Sequence, residues 1–76
     1  MNVVWTRVLD NGAVEIKVEM NGLERIFVTP AEAGNRMLAT ALCAQTTGMQ
    51  LKIDVPNYSV QYSEIAEMIL LSSPTP

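Results

Sequence analysis

The chain has no histidine and only one cysteine, Cys43, among its 76 residues. One thiol excludes an intrachain disulfide, and one thiol with carboxylates cannot complete the nitrogen and sulfur sets that hold zinc. No cofactor or metal is therefore expected. Histidine is the most frequent general acid or base, and nothing in the sequence pairs a nucleophile with another base, so the chain reads as a non-enzyme. Basic residues are also scarce: five, scattered singly, against eight acids, for a net charge of −3. A protein that tracks a phosphate backbone carries a basic stripe, so nucleic acid is not expected as a partner. Binding to a poly-dT oligonucleotide at physiological salt should be undetectable at micromolar protein; sub-micromolar, salt-sensitive binding would overturn that reading. No apolar run approaches the roughly 18 residues of a membrane span, so membrane insertion is not expected either.

What the chain does have is aliphatic surface. Of its residues 49% are hydrophobic and only 5% aromatic. A domain of this size buries only about 60% of the surface its unfolded chain exposes. Small domains make up the deficit with disulfides, metals or self-association, and composition leaves the last. One domain over residues 1–71 is expected, followed by a short disordered tail, "SSPTP", at 72–76. Met1 leads straight into a strand-like segment with no signal-peptide pattern, which implies a cytoplasmic protein if the chain is full-length and a secreted one if it is a mature fragment.

Two Asn-Gly pairs, Asn11-Gly12 and Asn21-Gly22, separate the segments "VVWTRVLD", "AVEIKVEM" and "LERIFVT". Asn-Gly accepts positive φ at both central positions of a type I′ turn, so three strands in a meander are predicted. In the middle strand Val14, Ile16, Val18 and Met20 alternate with Glu15, Lys17 and Glu19, the pattern of a half-buried strand. A helix follows. Thr29 is placed to cap it, Pro30 to occupy the first position and Glu32 to close a capping box; Gly48 falls where a left-handed residue ends a helix. Gly34, Leu38, Ala41, Leu42 and Gln45 share one face, flanked by Met37, Ala33 and Ala44, and the small residues among them would let a backbone approach closely along one flank. Met49, Leu51, Ile53 and Val55 then alternate inward as a fourth strand. The segment "EIAEMILL" is open to a helix or strand reading, and strand is favoured because the sheet edge would otherwise be unguarded. The fold class expected is β-rich α+β: an OB-like five-stranded antiparallel barrel with one helix between strands 3 and 4.

The run "NRMLATALCAQTTGMQLKIDV" resembles the B subunits of bacterial AB5 toxins, of the subtilase-cytotoxin and pertussis-like kind. The resemblance extends over about 45 residues and rests on a small-residue helix passing through Thr47-Gly48 into an alternating strand. It implies an OB-fold, a ring of five copies with helices lining the pore, and binding of cell-surface glycans. The chain departs from that family in lacking its usual cysteine pair.

A two-residue turn at Asn11-Gly12 would pair Arg7 with Ile16 and Trp5 with Val18, while the second turn pairs Val18 with Arg25 and Ile16 with Phe27. Arg7 and Arg25 then project beside Trp5 and Phe27, a combination suited to a carboxylate, phosphate or sugar acid. Tyr58 and Tyr62 add candidate sugar-stacking groups, or rim packing. On the opposite face Val4, Val8, Ile26 and Val28 form an apolar rim suited to an oligomer interface. Cys43 reads as an inert free thiol, and Asn57-Tyr58-Ser59 as a chance match to the glycosylation pattern. The function expected is a non-enzymatic binding module assembling as a homo-oligomer, a pentamer first, with a glycan or protein ligand. The alternative is a small cytosolic dimeric adaptor that takes a protein or small anionic ligand; single-stranded nucleic acid is a third class that the fold permits and the charge disfavours.

Overall fold

The computed structural model describes residues Met1–Leu71; the tail expected at 72–76 lies outside them. Three strands, β1 (Asn2–Val8), β2 (Val14–Met20) and β3 (Leu23–Val28), form the predicted meander. A 3₁₀ turn (Ala31–Ala33) leads into helix α1 (Gly34–Thr47), and β4 (Leu51–Asp54), β5 (Ser63–Glu64) and β6 (Glu67–Leu70) follow. The strands make two sheets: β1-β2-β3-β5, with β5 parallel to β3, and an antiparallel β4-β6 pair. The fold is therefore β-rich α+β with one helix, but the sheets are not closed into the expected five-stranded barrel. The segment 63–71 is strand rather than helix, as favoured, yet it breaks at Ile65-Ala66 into two pieces that serve different sheets. Across the break the inward positions change step, from fully buried Ile65 to Met68 and Leu70 packed against the core.

The two Asn-Gly pairs fold differently. Asn21 (φ 51°) and Gly22 (φ 86°) both take positive φ, and Met20 faces Leu23, the two-residue turn expected. At the first hairpin only Gly12 is left-handed, at φ 92°. Gly12 N–H donates to Leu9 O (3.1 Å) and Leu9 N–H to Ala13 O (2.8 Å), closing a three-residue loop. The register of β1 on β2 is therefore one residue away from the expected one: Arg7 faces Glu15 and Trp5 faces Lys17. A one-residue slip turns every side chain to the other face. A bulge at Val4 restores the phase, so that Val3 faces Val18.

Thr29 does not cap the helix, which has no side-chain cap. It is buried, and its Oγ1 accepts the Val14 N–H (2.9 Å) while its own N–H donates to Val14 O (2.9 Å), tying the end of β3 to the start of β2. At the other end Gly48 (φ 76°) donates its N–H to Ala44 O, the glycine stop that was predicted. Gly34 lies against the Gly12 backbone, where the expected close approach occurs. Gly34, Ala41 and Ala44 form the buried stripe of α1, over Val14, Ile16, Val18, Phe27, Leu51, Ile53 and Ile65. Leu42, expected on that stripe, is 42% exposed. Among the described residues, no helix is long and apolar enough to cross a membrane.

Candidate functional site

Residues opposite one another on neighbouring strands share a face. The register therefore gives the outer face of the large sheet a row across three strands, Trp5 on β1, Lys17 on β2 and Ile26 on β3. Gln61 and Tyr62 extend it. Ile26 N–H donates to Gln61 Oε1 (2.7 Å) and Tyr62 N–H donates to Ile26 O (2.6 Å), so the loop before β5 is docked on the backbone of β3. With strands about 4.8 Å apart, Trp5 and Tyr62 stand about 15 Å from each other. Tyr62 is 53% exposed and held at φ 64°. For an aromatic residue that conformation is uncommon and is maintained only by its surroundings.

Beside this row, Arg7 donates from both Nε (2.9 Å) and NH2 (2.6 Å) to one oxygen, Oε1, of Glu15. Glu15 is 9% exposed, so its carboxylate relies on that partner. The Arg7 guanidinium lies 5.7 Å from the centre of the Trp5 ring and the Lys17 ammonium 6.0 Å from it. Lys17 in turn pairs with Glu24 at 3.0 Å. Both cations near the indole are thus matched by a carboxylate, which leaves polar groups fixed around an aromatic plate without a net positive charge. Two residues along β2 from Lys17, beside the second hairpin, Glu19 accepts the Gly22 N–H (2.7 Å) and the Asn2 amide (3.3 Å). The Gly22 N–H first, then the Asn2 amide, hold the Glu19 carboxyl below its usual range.

Of the ligand residues expected from the sequence, the structure brings Trp5 and Arg7 together and places Arg25 elsewhere. Arg25 faces Val18 on the inner side of the sheet, as does Phe27, which is fully buried. The arginine pair expected as an anion site is therefore split by the shift in the first hairpin. Tyr58 is a packing residue: its ring meets Phe27 edge-on (centroids 6.1 Å, 84°) and its hydroxyl donates to Ile53 O. Tyr62 is exposed, on the loop whose backbone is bonded to Ile26. Val4, Val8, Ile26 and Val28 do not make one rim either. Val4 is the bulge residue, Val8 is on the inner-face row opposite Val14, and Ile26 and Val28 are on the outer face of β3. Cys43 is exposed on α1. Asn57 Oδ1 accepts the Ser59 N–H (2.9 Å) in a local turn. Lys17, Glu15 and Gln61 were not singled out in the sequence; a three-residue loop at the first hairpin was the signal that would have placed the first two beside Trp5 and Arg7. No family model matches the chain, and no curated protein or solved structure matches it.

Proposed function

We propose that this chain is a non-enzymatic module that assembles with copies of itself and binds an uncharged glycan on the outer face of its larger sheet. The observation that carries the reading is the half-exposed row Trp5–Lys17–Ile26, continued by exposed Tyr62 on the loop docked to Ile26, with aromatic residues at both ends and the cations already paired with Glu15 and Glu24. Aromatic faces with a few fixed polar groups suit a sugar ring, which offers an apolar face and a rim of hydroxyls. Because each nearby cation has its carboxylate, a neutral saccharide is favoured over a sugar acid.

The finer fold reading belongs to the same proposal. Residues 63–70 count as one bent fifth strand, parallel to β3 at its start and antiparallel to β4 at its end. The Met1 ammonium donates to Leu51 O and Leu51 N–H donates to Met1 O, both at 2.9 Å, so that β1 leans on β4. These contacts support a partly open OB-like barrel, whose sheet face is a common site for oligosaccharides. A ring of five is the assembly that the likeness to toxin B subunits implies. A dimeric adaptor for a protein partner is favoured by the exposed apolar groups Leu23, Val60 and Tyr62.

The test is a titration of the oligomer with a panel of neutral and acidic oligosaccharides. A neutral one is expected to bind, and Trp5→Ala or Tyr62→Ala to weaken it on the order of tenfold each. Arg25→Gln should bind as wild type does. Equal binding by wild type and both aromatic variants, or no binding across the panel, would sink the glycan reading. A dimer that binds no saccharide would support the adaptor.

A further inference from the structure

Among the described residues, β1 and β6 each have one margin without a neighbouring strand over most of their length. On β1, the bond from Leu9 N–H to Ala13 O sets the alternation. Along an antiparallel pair, bonded positions recur at every second residue. Arg7 and Trp5 therefore turn their backbone groups towards β2, and Thr6 and Val8 turn theirs outward. On β6, the bond from Leu71 N–H to Gln50 O does the same: Glu67 and Ile69 face β4, and Met68 and Leu70 face outward. Each margin carries one open apolar side chain, Val8 on β1 (62% exposed) and Ile69 on β6 (47% exposed), beside half-exposed Thr6 on the one and half-buried Met68 and Leu70 on the other. Neither strand carries a lysine or proline, the usual guards of a free edge. The bulge at Val4, whose carbonyl accepts the Gln45 amide (3.3 Å), protects only the first half of β1.

Charge completes the match. Asp10 lies two residues past the end of β1, and Arg36 on α1 lines a depression of ≈ 270 Å³ with Ala66 and Met68, beside the start of β6. Both are exposed, and among the described residues neither forms an ion pair. Glu67 lies on the other side of β6, with Lys52 and Asp54. If β1 of one copy runs antiparallel to β6 of the next, its Asp10 end meets the end of β6 that lies beside Arg36.

We infer that copies of this chain join head to tail, the Thr6–Val8 margin of β1 pairing with the Met68–Leu70 margin of β6 on the next copy, with Asp10 set against Arg36. The inference rests on the self-assembly proposed above and adds its contact. Because the two margins differ, the contact is heterologous, and repetition either closes a ring or extends a filament. Each junction satisfies backbone groups that otherwise remain in water and covers apolar side chains on both margins.

Sedimentation velocity and native mass measurement on the full chain, over a range of concentrations, test this. Wild type is expected to be oligomeric. Arg36→Glu and Asp10→Arg should each raise the midpoint concentration of assembly by about tenfold or more, because each sets like charges together. The double variant should return to within about threefold of wild type, since it restores an opposite pair. Both positions are exposed, so circular dichroism should show an unchanged fold. Val8→Pro removes an outward N–H without touching the β1–β2 ladder and should abolish assembly. A wild-type oligomer indifferent to both charge reversals, a double variant no better than the singles, or a Val8→Pro protein that assembles normally overturns the strand contact while self-assembly stands. A wild type that is monomeric at every concentration overturns both.

Discussion

Gly34→Ala is expected to cost about 3 kcal/mol or more and to lower the melting temperature by at least about 12 °C. Inside a helix the same change ordinarily stabilises, by roughly 0.5–1 kcal/mol, because glycine loses more backbone entropy on folding. Here that gain is outweighed by contact. A Cβ at position 34 would lie 1.9 Å from Gly12 O and 3.1 Å from Gly12 C. Both obstacles are backbone, at the tip of the first hairpin, so no side chain can swing aside. Either the hairpin tip moves off the helix, or α1 moves off the sheet and uncovers Ala41 and Ala44. A domain this small rarely nets more than about 3–5 kcal/mol from its core, so the loss is comparable with its whole stability. Gly48→Ala is the control. Gly48 has φ 76°, which strains an alanine, but among the described residues nothing lies within 4 Å of the added methyl. That variant should lose only about 1–2 kcal/mol. Thermal melts of the two proteins decide the matter: a Gly34→Ala protein more stable than Gly48→Ala would mean that the hairpin does not rest on the helix.

The contact between Gly12 and Gly34 also shows where the sequence was legible and where it was not. Both hairpins begin from the same Asn-Gly dipeptide. At Gly22 an added Cβ would meet nothing within 4 Å among the described residues, so the local preference of Asn21-Gly22 decides and the two-residue turn forms as read. Asn11-Gly12 is pressed against the start of α1, and a longer loop forms with Asn11 Oδ1 accepting the Ala13 N–H (2.9 Å). No pattern within residues 9–13 announces a helix that arrives twenty residues later. That tertiary contact decides the candidate site, because the register it accompanies puts Arg7 over Glu15 and separates it from Arg25. Trp5 and Arg7 were legible as neighbours because any register keeps positions two apart on one face. Lys17 was legible only as part of a charged row, since its partner across the sheet depended on the slip. Strand alternation was read correctly for Val14, Ile16 and Val18 and for Leu51, Ile53 and Val55, all buried. It failed at Ile65-Ala66, where the chain leaves one sheet for another and the period of two is interrupted.

Phe27→Ala is expected to leave little folded protein at low concentration and to abolish ligand binding, although Phe27 is not on the binding face. Its ring is completely buried on the inner side of β3, among Ile16, Ile53 and Ile65. Truncating a buried phenylalanine costs about 3–5 kcal/mol, which matches what the core of so small a domain supplies. Phe27→Leu keeps most of the volume and should cost less than about 1.5 kcal/mol. The route to the site runs through Tyr58, whose ring rests on Phe27 and whose hydroxyl holds Ile53 O. That contact anchors the loop after β4. The same loop, through Gln61 and Tyr62, docks on Ile26 and sets the outer end of the row. Emptying the space under Tyr58 should therefore free Tyr62, even in whatever fraction remains folded. Urea denaturation separates the two effects: the midpoint should fall sharply for Phe27→Ala and slightly for Phe27→Leu, with the slope unchanged in Phe27→Leu. Amide exchange at Ile26 and Tyr62, measured without denaturant, should quicken in Phe27→Ala by more than the global loss of stability accounts for. If those two amides exchange only through global unfolding, the loop is held from elsewhere and the link from core to site fails. If Phe27→Ala melts within a few degrees of wild type, the inner face is not packed around that ring.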